Sequence, residues 1–352
     1  MKIFIIGMNG FIGSWLTKRL VQESTVEKIT GMDIASHRIQ PIVNHEKIDF
    51  HTKDLFKEMV WVEKQVHQAD CVIPLAAIAN PSLYVTDPLR VFSLDFEANL
   101  EIIKCVAKYK KRLVFPSTSE VYGMCSDQEF DEDTSKLVLG PIQKQRWIYS
   151  CCKQLLDRLI YAYGQTHNLN YTIFRPFNWM GPEMDDVYSS KRGASRAIPQ
   201  FFHAALFGKT IHLVNEGLQK RCFLYIEDAI EALWKILLNP ETCSQQIINI
   251  GAPENNFTIK EVAHLVVEAV KAFPKKWQKT ETTKIISIPQ EEYFNQSYED
   301  VSHRVPKIEK AKSLLNWQPT TSLPKALEKT AAYYIDQIKS QSVETLQKKR
   351  GS

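Results

Sequence analysis

Over its first 180 residues the chain alternates short apolar runs with amphipathic stretches. The run at 3–6 (IFII) is wholly apolar, ends at a glycine and predicts a buried strand. A helix is expected over 11–22, where Phe11, Ile12, Trp15, Leu16 and Leu20 fall on one side. The same reading predicts strands at 28–34, 71–75, 112–117 and 171–177, with helices at 55–66, 91–109 and 148–165. Strands and helices alternating at these lengths imply a parallel sheet with helices on both faces. After Asn178 the texture changes. Residues 180–197 are polar and rich in turn formers, so they read as a loop. Helices are expected at 197–207, 227–238, 259–272, 308–315 and 323–338, with short strands at 211–214 and 246–250 between them. No Pro/Ser-rich linker separates the halves, and no fixed period repeats. The expectation is a doubly wound α/β domain over 1–178, with later segments returning to it. A smaller lobe over 179–345 would pack beside it across a cleft.

Composition narrows the class. Of 352 residues, 44% are hydrophobic and 24% charged, which fits a globular protein. The 44 basic and 40 acidic residues are interspersed, so a net charge of +4 gives no reason to expect a nucleic-acid partner. Seven cysteines show neither a CxxC pair nor Cys/His metal spacing, which predicts free thiols, a reducing compartment and no metal site. The first apolar run is too short for a signal peptide, and no stretch approaches the roughly 18 apolar residues of a membrane helix. A cytoplasmic protein with no membrane partner is therefore expected. Arg350-Gly351-Ser352 reads as an expression-vector remnant.

The first chemical motif is Gly7-Met8-Asn9-Gly10-Phe11-Ile12-Gly13, a GxxGxxG turn directly between the first strand and the first helix. The first glycine permits the tight turn, the second lets backbone approach a pyrophosphate, and the third lets helix and strand pack closely. The helix N-terminus favours the phosphate charge. Asn9, Phe11 and Ile12 belong with the glycines to the expected dinucleotide site. Asp33 closes the second strand twenty residues after Gly13, where a carboxylate binds the ribose 2′-hydroxyl of NAD and repels a 2′-phosphate. Arg38 nearby keeps NADP open as the minor alternative. Asp54 either reaches the adenine amino group or caps a helix. Leu75, Ala76 and Ala77 follow the fourth strand, where small residues suit a loop lying against the cofactor and equally suit plain core packing.

The second motif is Tyr149 and Lys153, a YxxxK pair one helical turn apart and so on one face. A phenol titrates near about pH 10 and is a poor base, but an adjacent ammonium favours the phenolate. Such a pair can take a proton from an alcohol. The previous strand ends in Pro116-Ser117-Thr118-Ser119-Glu120.

Taken in order, GxxGxxG, STSEVYG at 117–123, YxxxK and Arg175-Pro176-Phe177-Asn178 resemble the extended short-chain dehydrogenase/reductase superfamily of nucleotide-sugar enzymes. The likeness spans nearly the whole chain. It implies a Rossmann-like fold with a C-terminal substrate-binding lobe. Epimerases of that superfamily usually carry a small residue where Glu120 stands, and 4,6-dehydratases an Asp-Glu pair. Ser119-Glu120 resembles the UDP-glucuronic acid decarboxylases. The stretches STSEVYGMCSD (117–127), RWIY (146–149), FRPFNWMGP (174–182) and QKRCF (219–223) are most similar to the decarboxylase half of the bifunctional polymyxin-resistance enzymes of the 4-amino-4-deoxy-L-arabinose pathway. This chain departs from them in lacking a formyltransferase half, in His212 where lysine is expected, and in Asn80 where threonine is expected.

The resemblance implies a mechanism. Tyr149, with Lys153, removes the C4 hydroxyl proton of UDP-glucuronic acid while NAD takes hydride from C4. The resulting β-keto acid loses CO₂ and leaves a UDP-4-keto-pentose. Thr118 would bond the C4 oxygen, and Ser119 and Glu120 would act around the carboxylate and C5. As a buried acid, Glu120 could destabilise the departing carboxylate. Arg304 would serve the enolate, although its pKa makes it a poor acid. Asn178, Arg196, Arg221 and Tyr298 match positions that hold the UDP portion, where an arginine fork suits a diphosphate. Superfamily members usually form homodimers through two long helices per subunit. Here those would be 91–109 and 148–165, whose Ile102, Ile103, Leu155, Leu156 and Ile160 exceed one narrow stripe. Three alternatives stay open: a redox-neutral UDP-xylose synthase that keeps its NADH, an epimerase or dehydratase, and a dinucleotide-sensing regulatory protein.

Overall fold

The computed structural model describes residues 1–188, 196–294, 299 and 301–350. Its strands are β1 (Lys2–Ile6), β2 (Lys28–Asp33), β3 (Ile48–Thr52), β4 (Cys71–Pro74), β5 (Arg112–Pro116), β6 (Tyr171–Pro176), β7 (Trp179–Met180), β8 (Ile211–Val214), β9 (Lys220–Cys222), β10 (Leu224–Tyr225), β11 (Gln246–Ile250), β12 (Asn256–Thr258) and β13 (Ile285–Ile288). The helices are α1 (Phe11–Leu20), α2 (Met59–Gln68), α3 (Pro81–Thr86), α4 (Pro88–Phe92), α5 (Asn99–Lys108), α6 (Trp147–His167), α7 (Ala197–Phe207), α8 (Ile226–Leu238), α9 (Ile259–Lys271), α10 (Gln290–Phe294), α11 (Glu309–Leu315) and α12 (Leu323–Arg350).

Among the described residues, seven strands make one parallel sheet in the order β11-β6-β5-β4-β1-β2-β3. Its central strands are continuous apolar runs because helices cover both faces. Successive residues of β1 serve opposite layers. Ile3 and Ile5 pack with α1, α8 and α9 residues, whereas Phe4 and Ile6 pack with Val62, Ile102 and Leu156 from α2, α5 and α6. Strand order reverses between β1 and β4, which opens a crevice at their carboxyl ends. The α/β Rossmann-like fold expected from the alternating pattern is the fold observed. The short strand at 246–250 is not part of a separate C-terminal sheet. As β11 it pairs with β6 and completes the main sheet.

Beyond β6, β11 joins the main sheet and α8 packs on α1, while the smaller strands pair among themselves. β9 pairs antiparallel with β12, and β8 pairs parallel with β13. The helix expected over 55–66 starts as a 3₁₀ turn (Leu55–Lys57) before α2. The helix expected over 91–109 is also divided, because a π-helical turn, Ser93–Ala98, separates α4 from α5. The apolar residues expected to face a second subunit need correction. Ile102, Ile103, Leu156 and Ile160 are wholly buried in the chain's own core, and only Leu155 is open, at 47% exposure. These helices carry a wide apolar face because the sheet and each other cover it. Among the described residues no helix is long and apolar enough to cross a membrane.

Candidate active site

The nucleotide turn is shaped by side chains that are missing. Gly7 has φ +87°, and a Cβ there would stand 2.7 Å from Ala76 N. A Cβ on Gly13 would stand 2.3 Å from Gly7 O. Both glycines are therefore required, one by backbone conformation and close approach, the other by packing of α1 on the turn. Gly10 is the N-cap of α1 and provides no side-chain cap, so the positive end of the helix faces the crevice without a carboxylate of its own. Phe11 and Ile12 open that helix. Leu75, Ala76 and Ala77 run against the turn, and the Leu75 N–H donates to Ile6 O at 2.7 Å.

Asn9 is buried and works as a bracket. Its N–H donates to Asp33 Oδ2 at 3.0 Å, and its Oδ1 accepts from Arg38 N at 2.7 Å and Ile39 N at 3.3 Å. Asp33 ends β2 as expected. Burial pushes its carboxyl up, against the N–H groups of Ala35, Ile34 and Asn9 and the charge of Arg38. The Arg38 guanidinium, the ground for the NADP alternative, is spent on Glu183 O at 2.9 Å and Asn9 O at 3.3 Å. Asp54 caps the 3₁₀ turn, accepting from Phe56 N at 3.0 Å, so the capping alternative is the one observed. An uncapped helix end, a glycine cradle and a carboxylate at the end of β2 together fit a dinucleotide.

The reacting pair sits where β5 ends and α6 begins. Tyr149 is buried, its ring stacked on Tyr84 at 4.7 Å and 7° between planes. Burial pushes its phenol up, the Asp95 charge adds to this, a hydrogen bond with Thr118 opposes it, and the Glu120 charge raises it again. Lys153 is buried, donates to Pro116 O at 3.0 Å and lies over the Phe115 ring at 4.9 Å. The expected arrangement, an ammonium set against the phenol, is therefore modified. The lysine is turned onto the end of β5, and the anionic neighbours of Tyr149 favour its protonated form.

Thr118 accepts from Glu120 N at 3.2 Å and caps the short 3₁₀ turn Ser119–Tyr122, in which Ser119 is buried. Glu120 lies between two guanidiniums, with Oε2 on Arg146 and Oε1 on Arg304. Burial alone would push its carboxyl up. The charges of Arg146 and Arg304 outweigh that, with Arg221 adding to them, and hold it at about 2. Glu120 is thus a matched carboxylate, and the two guanidiniums offset the charge by which a buried acid would destabilise a departing carboxylate. Arg304, 184 residues away in sequence, reaches this point from the C-terminal part of the chain.

Sequence reasoning misses Arg146. It is wholly buried, donates to Glu299 O at 2.9 Å and lies over the Trp147 ring at 4.4 Å. Its one signal is the RWIY stretch that leads into Tyr149. Tyr84 and Asp95 are missed as well, being single residues in ordinary helical sequence.

The expected diphosphate residues divide. Asn178, at φ +42°, donates to Cys222 O at 3.2 Å and so joins the end of β6 to β9. Arg221 on β9 is buried and close enough for its charge to act on Glu120. Arg196 instead stands beside the nucleotide turn, bonded to Asp185 at 2.7 Å and lying 5.6 Å from the centre of the Phe11 ring. Tyr298 lies outside the described residues. Among the described residues no cluster of His, Cys, Asp and Glu could hold a metal ion.

A parallel sheet with this strand order, a glycine cradle at its switch point and a buried Tyr/Lys pair define an NAD-dependent enzyme. Residues 3–251 match the model of the NAD dependent epimerase/dehydratase family, and the chain belongs to that family. NAD is its cofactor. Among solved structures it is similar to the PbgP3 protein from Burkholderia pseudomallei, at 44% identity and a TM-score of 0.86, over 96% of this chain and 97% of that one. It shares its fold with UDP-glucuronic acid 4-epimerase from Bacillus cereus, solved with UDP-glucuronic acid and NAD, at 22% identity, TM-score 0.79, and coverage of 96% and 100%. It likewise shares the fold of dTDP-glucose 4,6-dehydratase from Bacillus anthracis str. Ames, solved with NAD, at 23% identity, TM-score 0.76, and coverage of 95% and 96%.

Proposed function

We propose that this enzyme oxidises and decarboxylates UDP-glucuronic acid to a UDP-4-keto-pentose, CO₂ and NADH. The observation that carries the reading is the charge around Glu120. Arg146 and Arg304 both bond to one carboxylate, and the charge of Arg221 acts on it as well. Guanidinium donors gathered at the end of β5 suit the C6 carboxylate of a uronate, which a neutral hexose lacks.

Bound NAD supplies the hydride acceptor for C4. The chain's own groups do the rest. Tyr149, once its own proton has passed to solvent under the positive charges of Lys153 and bound NAD, takes the C4 hydroxyl proton, and Thr118, bonded to the phenol, hydrogen-bonds the C4 oxygen. Lys153, held on Pro116 O, keeps a positive charge at the end of β5. Oxidation at C4 makes the C6 carboxylate that of a β-keto acid. Its C5–C6 bond breaks, CO₂ leaves, and the electron pair becomes the enolate of the C4 ketone. Arg304 and Arg146, released in part from Glu120, stabilise that enolate until C5 takes a proton. Asn178 and Arg221 hold the UDP portion, and Arg196 stands over the nucleotide side.

Incubation with UDP-glucuronic acid labelled at C6 and NAD tests the reading. The expected result is labelled CO₂ and equimolar absorbance at 340 nm. Labelled CO₂ without net NADH would instead mean that the ketone is reduced back before release. A 4-epimer formed with the label retained would overturn the decarboxylase assignment.

A further inference from the structure

Segment 88–108 carries a π-helical turn, Ser93–Ala98, between α4 and α5. Such a turn re-aims the side chains around it and recurs at functional sites. Here the acid it brings inside is Asp95, which is 0% exposed. Both of its oxygens face the Ile78 N–H, at 2.9 and 3.3 Å. Ile78 lies two residues past Ala76, the residue against which Gly7 is packed. On its other side Asp95 looks onto α6. Its charge acts there on Tyr149, Cys152 and Lys153, and on Tyr84 of α3.

The other charges on the packed elements are committed elsewhere. Asp157 of α6 is paired with Arg175 at 3.0 Å and accepts from Ser117 at 2.8 Å. Glu120 meets Arg146 and Arg304. Arg90 of α4, Glu97 of the π turn and Glu101 of α5 lie away from this buried corner. Asn99 of α5 is uncharged and donates to Leu94 O at 2.9 Å. Of the charges acting on Lys153, Asp95 comes first and Asp157 second, and the π turn that carries Asp95 packs against α6.

We infer that Asp95 is a positioning residue for the reacting pair: its buried carboxylate is the counter-charge that keeps Lys153 an ammonium inside the core, and the Ile78 N–H fixes that charge to the loop against the nucleotide turn. The inference rests on Tyr149 and Lys153 being the reacting pair and is independent of which sugar is oxidised. Burial pushes the Asp95 carboxyl up to about 7, against Lys153 and the Ile78 N–H. Burial also pushes Lys153 down, and Asp95 is the first of the charges holding it up. A carboxyl raised in the folded state binds its proton more tightly than the same group in the unfolded chain. Stability therefore falls as pH rises from the ordinary aspartate value of 3.8 towards about 7, where the folded carboxyl gives up that proton.

Asp95→Asn keeps the side chain's size and an acceptor for Ile78, and two measurements read it. The first is the thermal midpoint of the protein without substrate, from about pH 5 to about pH 8. The variant should gain on wild type as pH rises, and a constant difference would overturn the proposal. The second is the pH profile of NADH formation from UDP-glucuronic acid. Loss of a negative charge lowers Tyr149 and Lys153 together, so both limbs should move to lower pH by about one unit, with NAD binding by calorimetry unchanged. Unmoved limbs under a uniformly lower rate would indicate a packing role only and overturn it. Should Asp95→Asn not fold, Lys153→Met must carry the wild-type stability loss to higher pH, and an unchanged window would overturn the counter-charge. The thermal measurement needs no sugar, so its failure is distinct from failure to release CO₂.

Discussion

The two ends of the crevice are built by opposite means. At the nucleotide turn the chain supplies backbone and leaves side chains out: Gly7 and Gly13 are demanded by contacts of 2.7 and 2.3 Å that a Cβ would make. At the end of β5 it supplies buried charge, with Glu120 between Arg146 and Arg304, and Lys153 held up by the charges of Asp95 and Asp157. The first end needs shape and tolerates no added atom. The second needs balance, because a buried charge deprived of its partner is costly. The two ends should therefore fail differently.

The largest effect is expected at the reacting pair. Tyr149→Phe removes one oxygen and should lower turnover by about 10²–10⁴-fold, the usual range for general-base loss. NAD binding, measured by calorimetry, should be retained. Near-normal turnover would remove Tyr149 from the chemistry.

Next comes charge balance. Glu120→Ala leaves two guanidiniums facing each other and should cost about 3–5 kcal/mol in denaturant unfolding. The pH dependence has a definite sign. The folded carboxyl lies at about 2, below the ordinary glutamate value of 4.5, so its contribution is complete above 4.5 and is lost as pH falls towards about 2. Glu120→Gln should lack that acid-dependent component. Acid unfolding identical to wild type would show that the two ion pairs are not holding the corner.

Shape at the other end ranks third. Gly13→Ala forces α1 off the turn and should cost about 1–3 kcal/mol, as overpacking does. Here NAD affinity should fall more steeply than stability, the reverse of the pattern for Glu120→Ala. Equal losses in the two variants would erase the contrast between the ends.

The smallest effect concerns cofactor choice. Asp33→Ala should narrow the preference for NAD over NADP without changing turnover at saturating NAD. Because Arg38 is held by Glu183 O and Asn9 O, the variant should not become NADP-preferring. Measured kcat/KM for both cofactors checks this.

The two ends also differ in how far the sequence reveals them. The glycine turn is legible because its constraints are local: seven consecutive residues between a strand and a helix fix both the turn and the helix end that faces a phosphate. Tyr149 and Lys153 are legible for the same reason, as one helical turn sets their shared face. The Glu120 clamp cannot be assembled this way. Its members come from positions 120, 146 and 304 and meet only when the end of β5, the start of α6 and a C-terminal segment converge. Asp95 looks like any acid on an amphipathic helix, and only the π turn places it inside. Ile102, Ile103, Leu156 and Ile160 read as an interface because an apolar face gives its width and not the identity of what covers it.

The sequence by itself determined the alternation of strands and helices, the nucleotide turn and the Tyr/Lys pair, because backbone sterics and helical period act over a few residues. Tertiary structure alone decided that 246–250 closes the main sheet and that Lys153 turns onto Pro116 O. It also decided that Arg304 and Arg146 share one carboxylate. Burial and charge pairing depend on which distant segments arrive at the same place, and a buried ion is tolerated only where its partner arrives with it.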